Sequence, residues 1–456
     1  MITRTGIHSQ RNRMEVSLLS RKSTICFMLA LCALVFALSA VADGESYVQL
    51  PLAGASSTRI SVNIPPENAA ESGRNPLTGE EWDGYYHPIM VQIDASHAAL
   101  PHWGVSSADI MYEMPLHREG DTRSVALFMG TIPPYAGPVR SARVPMASLR
   151  EMWGGAWVFY GIQEYFLNEE PAVDVWDFVT SLHPDAIKGG RWVFPFLDGT
   201  QMQYYELFGR QSDSEHVAPH NATINTRGVE QLFTVEPVMH PFKFTDTPRL
   251  NGTDVRGITI TYKTAKRSEQ STVVSYNYDE QTGTYNRYRE DEIYMDGANG
   301  RTCEYANVII VHSQVSWFNG NASRPVIRLL GQGTADIFQN GKWIRGMWVR
   351  GRTQGETNEK DVATQASRMV FLDENGQEVE MQRGKTFIQI VDERQQIVNV
   401  TTSGVIAGAK QMATPPPTPT PRPTRTPPPT RPPRQSRTTP VPDAGSSGDD
   451  EVEFGG

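Results

Sequence analysis

The sequence predicts an α/β or α+β N-terminal module, then a mostly-β C-terminal module, then a disordered proline-rich tail. Three observations predict this. Short apolar runs alternate with helix-like stretches over about residues 73–240, which suits strands joined by helices. Over 255–393 the texture changes to short β-branched and aromatic runs separated by turn signals such as Asn340-Gly341 and Asn375-Gly376. From Ala413 to Pro442 proline is so dense that the backbone is held extended, without hydrogen bonds.

The chain has 456 residues and a formal net charge of −9. Residues 1–42 contribute +4 through Arg4, Arg11, Arg13, Arg21 and Lys22 against Glu15, so the remainder carries −13. So acidic a chain argues against nucleic acid as a partner, because phosphate backbones demand a basic face. Of the three cysteines, Cys26 and Cys32 lie in the N-terminal apolar run and leave Cys303 alone, an inert buried thiol in our reading. One thiol builds neither a disulfide framework nor a cysteine zinc site.

Taken in order, the basic residues up to Lys22 precede the apolar run Ser23 to Ala42, which closes on Ala40-Val41-Ala42 before the polar Asp43-Gly44-Glu45. This is a signal peptide with a small-residue cleavage site, or, uncleaved, an anchor long enough to span a bilayer. Either way the bulk of the chain is extracytoplasmic, secreted or attached to the envelope, and any membrane contact runs through this segment. Residues 43–72 form a polar spacer. Ile89 to Asp94 is a buried strand ending in a carboxylate, at the edge where α/β sheets collect ligands. Ala108 to Met114 and Ser124 to Met129 are further strands, Ala147 to Trp153 a short helix and Gly155 to Tyr160 another strand. In the second module, strands are expected at Val255–Thr264, Ser271–Tyr278, Thr284–Arg289, Val308–Ser316, Arg324–Leu330, Lys342–Arg350, Met369–Asp373 and Thr386–Val391. Gly331-Gln332-Gly333 is not a dinucleotide fingerprint, since Asp336 stands where the third glycine belongs. Residues 413–456 are the tail, a solvated spacer or, through Arg422, Arg425, Arg431, Arg434 and Arg437, an arm for an anionic polymer.

The candidate site lies where charge crowds around one apolar strand. Asp109, Glu113, Glu119 and Arg123 stand upstream of Ser124–Met129, and Arg140 and Arg143 follow the turn Pro133 to Pro138. Charges this dense beside a buried strand must face water, pair with one another or meet a ligand. Arg140 and Arg143 share a face if Val139 starts a helix, and with Arg123 they suit a phosphate or carboxylate. The alternative is an internal salt-bridge network of these arginines with Asp109, Glu113 and Glu119. Glu113 and Glu119 serve as an acid/base pair only if the segment between them folds them together. Asp94 and the turn Pro219-His220-Asn221 complete the candidates. No nucleophile elbow, zinc motif or Walker loop is present, and no metal site or cofactor is assigned.

Asn75-Pro76-Leu77-Thr78-Gly79, Ser107 to Glu113, Glu119-Gly120-Asp121-Thr122-Arg123, Gly137 to Arg143 and Pro219-His220-Asn221 resemble the YerB-like family. The second half is similar too, through Ala306 to Ile309, Gly331-Gln332-Gly333, Asn340-Gly341-Lys342 with Trp348, and Gly384-Lys385-Thr386. That bacterial family is described as lipoproteins and known chiefly as a domain of unknown function. The resemblance spans about residues 73–393 and implies an envelope protein of two modules with no established activity. The chain departs from the family pattern in lacking a lipobox, in Ala95 after Asp94, and in Tyr160-Gly161-Ile162-Gln163 where a Gly-Gly-Ser-like turn is expected. The expected function is binding of an anionic small molecule or envelope polymer through the Arg/carboxylate cluster. Alternatives are an enzyme on phosphate-containing envelope substrates, by analogy with LytR-type transferases, and a non-catalytic envelope scaffold.

Overall fold

The computed structural model describes residues 47–49, 64–163, 174–211, 216–262, 272–353, 356–394 and 397–402. The expected signal peptide or anchor at residues 1–42, most of the spacer and the proline-rich tail fall outside the described residues. One eleven-stranded sheet forms the frame. Its strands in chain order are β1 (Ile89–Asp94), β2 (Ile110–Pro115), β3 (Thr122–Phe128), β4 (Ala156–Phe159), β5 (Phe196–Asp198) and β6 (Thr253–Asp254). They continue with β7 (Asn307–Ser313), β8 (Gly331–Gln339), β9 (Lys342–Arg350), β10 (Met369–Leu372) and β11 (Thr386–Asp392). Across the sheet the order is β6-β9-β8-β7-β11-β2-β3-β1-β4-β5, with β10 also on β9.

The halves of the chain meet inside this sheet. β11 runs parallel to β2, with Thr386 opposite Ile110 and Gln389 opposite Glu113. A second, seven-stranded sheet contains Gly257–Tyr262, Thr272–Asp279, Thr284–Arg289 and the pairing Tyr47–Gln49 with Ile397–Thr401. The N-terminal half adds the helices α1 (Val144–Trp153) and α2 (Val175–Leu182). The architecture is that of the expected two modules, mostly strands with few helices.

Alternation along each strand sorts the interior into two layers. Met90, Tyr112, Met114, Val125 and Leu127 face α1 and α2, packing on Met146, Leu149 and Phe178. Ile89, Val91, Ile93, Met111, Ala126 and Phe128 face the other way, onto Ile258, Ile260, Val274 and Tyr276 of the second sheet. Both faces are covered, so β1, β2 and β3 are continuous buried runs rather than alternating ones. Polar residues in them therefore enter one interior layer or the other, and parity decides which.

Candidate functional site

β1 and β4 run parallel from Ile89 opposite Ala156 to Val91 opposite Val158 and then separate. The extended segment Gly137–Arg143 fills the gap. Asp94 N–H donates to Pro138 O (2.8 Å) and Arg140 N–H to Gln92 O (3.0 Å) on one side. On the other, Tyr160 N–H donates to Arg140 O (3.0 Å) and Ala142 N–H to Gly161 O (3.0 Å). A Cβ on Gly137 would stand 2.6 Å from Ala222 O, so only glycine admits this crossing. Val139 N–H in turn donates to Ala222 O (2.7 Å), which brings the Val217–His220 turn over the end of β1. The site thus forms at the carboxyl ends of parallel strands, where open α/β sheets present a crevice.

Asp94 is the centre. Its Oδ2 accepts from His220 Nδ1 at 2.7 Å and lies 3.2 Å from Arg140 Nε, while Oδ1 accepts the Ser96 N–H at 3.1 Å. Ser96 Oγ is also 3.1 Å from His220 Nδ1. Arg123 stands opposite Asp94 in the β1–β3 register and, by parity, on the same face. Burial pushes the Asp94 carboxyl up. Arg123, the Ser96 N–H, Arg140 and His220 outweigh burial and hold it at about 2.

The arginines are less well served. Arg123 is only 3% exposed, yet its Nε and Nη1 are buried without a hydrogen-bond partner. Burial, with repulsion from Arg140, draws it down to about 10 despite Asp94 and the exposed Asp121. Arg143 donates through Nη1 to the neighbouring Ala142 O (2.9 Å), and its Nε is buried and unpartnered. Burial and the charges of Arg123, Arg140 and Arg324 lower it to about 9. Arg123 and Arg140 share the buried Asp94 carboxylate, Arg143 and Arg324 add positive charge beside them, and Arg123, Arg140 and Arg143 each have a buried Nε with no hydrogen-bond partner among the described residues. Such a centre fits an anion with several acceptor oxygens.

The structure brings Asp94, Arg123, Arg140, Arg143 and His220 together and places the other candidates elsewhere. Arg140 and Arg143 do not share a helix face: α1 starts only at Val144, because Gly137–Arg143 is consumed in strand-like pairing and Pro145 suits a first helical turn. Glu113 points into the opposite layer. It accepts from Arg287 Nη2 (2.6 Å), Thr122 Oγ1 (2.5 Å) and Gln389 Nε2 (3.1 Å), with Arg289 Nη1 at 3.5 Å. Asp109 lies at the far end of β2, accepting from Asn75 Nδ2 (2.7 Å) and the N–H groups of Met129 (2.7 Å) and Gly130 (3.0 Å). Glu119 sits on the β2–β3 loop and forms no ion pair among the described residues, and it does not meet Glu113 as an acid/base pair. Asn221 braces a hairpin, accepting from Arg210 Nη1 (2.8 Å) and donating to Gln211 O (2.9 Å). The salt-bridge network expected between the arginines and these three acids is absent, for a simple reason: strand parity sends Glu113 and Arg123 to opposite faces.

Sequence reasoning missed Gln92 and Arg324. Gln92 is fully buried on the Asp94 face, with amide oxygen and nitrogen both unpartnered among the described residues. Its position two residues before Asp94 was the available signal. Arg324 comes from the second half of the chain, and nothing local announces it. Among the described residues no cluster of His, Cys, Asp and Glu is arranged to hold a metal ion.

Comparison with known proteins places the chain in a family. Residues 77–238 match the family described as "Protein of unknown function (DUF3048) N-terminal domain", and residues 259–388 match its C-terminal domain. The sequence is 25% identical over 295 residues to the "Putative lipoprotein YerB" of Bacillus subtilis (strain 168), covering 62% of this chain and 81% of that one. The fold is similar to the crystal structure of the Bacillus subtilis YerB protein, with a TM-score of 0.55 and 23% identity over 71% of this chain and 99% of the other. The site lies within the first matched stretch, and the β11–β2 pairing joins the two. The chain belongs to the YerB-like family of DUF3048 proteins.

Proposed function

We propose that this is an exported protein of the cell envelope whose N-terminal module binds an anionic group, on a small molecule or an envelope polymer, between Arg123, Arg140 and Arg143. The basic-then-apolar N-terminus supports export, and a relative named as a putative lipoprotein fits the same location. The observation that carries the binding reading is Arg123, 3% exposed with Nε and Nη1 unpartnered among the described residues, in a cluster that reaches solvent through Arg140 and His220. Leaving buried charged donors unsatisfied is costly, and an oxyanion seated among the three arginines removes that cost.

The test is thermal unfolding in sulfate, phosphate and polyphosphate at fixed ionic strength. A ligand that binds only the folded state raises the melting temperature with its concentration. We expect stabilisation of the wild type at millimolar anion and none for Arg143→Ala, whose melting temperature in chloride stays close to wild type. A wild type indifferent to all three anions, or an undiminished shift in the variant, sinks the reading.

A further inference from the structure

The anion site ends in a histidine whose protonation state is fixed on one side and open on the other. His220 Nδ1 lies 2.7 Å from Asp94 Oδ2. An ionised carboxylate only accepts, so Nδ1 carries the hydrogen and the neutral ring keeps its lone pair on Nε2. No described residue hydrogen-bonds to Nε2, and the side chain is 24% exposed. Arg140 Nε approaches the same Oδ2, so the histidine and the arginine flank one carboxylate oxygen.

We propose that His220 is the proton-bearing arm of this site, through which it takes a tetrahedral dianion, a terminal phosphate monoester or a sulfate, together with one proton. This rests on the anion-binding reading above. Among the described residues Arg123, Arg140, Arg143 and Arg324 stand against Asp94 and Asp121, a surplus of two positive charges, which a dianion balances and a carboxylate or phosphodiester does not. The charged groups of this corner are Asp94 on β1, Arg123 on β3, and Arg140 and Arg143 on the crossing segment. Arg210, behind the histidine, is held by Asn221 (2.8 Å) and lies over the Tyr160 ring. On a neutral ring the Nε2 lone pair repels a ligand oxygen. A dianion cancels the arginines, and the proton that Nε2 then accepts turns that repulsion into a donated hydrogen bond. Binding and protonation are therefore linked: affinity is highest where histidine is readily protonated and falls as pH rises.

Sulfate tests this cleanly, because its own charge does not change in the working range. Isothermal titration of the whole protein with sodium sulfate, at constant ionic strength, is run from about pH 5.5 to about pH 8.5, which brackets histidine titration. Two buffers of different ionisation heat report the proton. For the wild type we expect affinity to fall by about fivefold or more across that range, with proton uptake on binding. His220→Gln and His220→Asn, confirmed folded by their melting curves, should bind with pH-independent affinity near the wild-type value at high pH. Above about pH 7.5, where glycerol phosphate is a dianion, it should bind more tightly than dimethyl phosphate. A pH-flat wild type, histidine variants that keep the slope, or equal binding of the monoester and diester overturns the inference while leaving an anion site in place. No sulfate binding by the wild type at any pH overturns both.

Discussion

The central sheet carries two arginine clusters, one on each face, built from similar parts and finished differently. On the face toward the second sheet, Arg287 and Arg289 meet Glu113, which also accepts from Thr122 and Gln389. Arg287 lies over the Tyr294 and Phe387 rings, at 4.2 and 4.9 Å. On the face toward the helices, Arg123, Arg140 and Arg143 have Asp94 among them, and their surplus opens toward solvent through Arg140 and His220, which are 28% and 24% exposed. The first cluster is sealed: its carboxylate has four partners in a dry layer, although Arg287 Nε and Nη1 and Arg289 Nη1 have no hydrogen-bond partner among the described residues. The second is half of an interaction. An interior charge network and a ligand site can thus use the same residue types, and the balance of charge and access to solvent tell them apart.

The comparison is sharpened most by a matched pair of substitutions, and the larger effect belongs to the closed cluster. Arg287→Met keeps the bulk of the side chain but strands Glu113 in a dry layer. Removing one partner of a buried pair costs about 3–5 kcal/mol, so chemical denaturation should show a loss of that order with no change in sulfate response. A loss under about 1 kcal/mol would mean that Arg289 and Gln389 suffice and that the closed cluster is less finished than its geometry indicates.

Acid should separate the carboxylates from their unfolded references. Asp94 is held at about 2 in the folded protein, against about 3.9 when unfolded. A depressed carboxyl stabilises the fold above the unfolded value, and that stability is lost as pH falls through the folded one. The window therefore runs from about pH 4 down to about pH 2, and the contribution is about 2 kcal/mol. Burial also raises Glu113, but Arg287, Arg289, Thr122 and Gln389 outweigh it and bring it below the usual range, so it adds to the same acid limb. Asp94→Asn should lose stability at neutral pH and show a shallower decline on acidification. An acid limb parallel to the wild type would mean that the arginines do not grip this carboxylate.

Much of the frame was legible because burial on both faces writes continuous apolar runs. Ile89 to Asp94 and Lys342 to Arg350 were read with the bounds observed, and Thr386 to Val391 to within one residue. β8 was not read, because it opens on Gly331 and Gly333 and carries Asp336 at its middle. Both features answer to partners distant in sequence. A Cβ on Gly333 would meet Trp348 Nε1 at 2.4 Å, and Asp336 is buried against His312 (2.7 Å) and Arg345 (2.8 Å). At the site, residue types were legible and geometry was not. The spacing of Arg140 and Arg143 fits a helix, but the gap between β1 and β4 draws that segment into strand-like pairing. Parity along β2 and β3 separates Glu113 from Arg123 in the sequence alone.

The smallest effect carries the opposite sign and tests the open cluster most directly. Arg123 and Arg287 are both buried arginines on strands, so Arg123→Met is the counterpart of Arg287→Met. Asp94 keeps Arg140, His220 and the Ser96 N–H when Arg123 is lost, so no carboxylate is stranded. What disappears is a guanidinium with unpartnered nitrogens and its repulsion of Arg143. Replacing buried charge by apolar bulk of similar volume is neutral to stabilising, and in chloride buffer the variant should be unchanged or more stable by about 1 kcal/mol. In millimolar sulfate the order should reverse, because the wild type gains from binding and the variant does not. Denaturation curves in the two salts decide it. A variant that loses about 2 kcal/mol or more in chloride would make this cluster a second interior network, and the two faces would then differ only in how deeply they are buried.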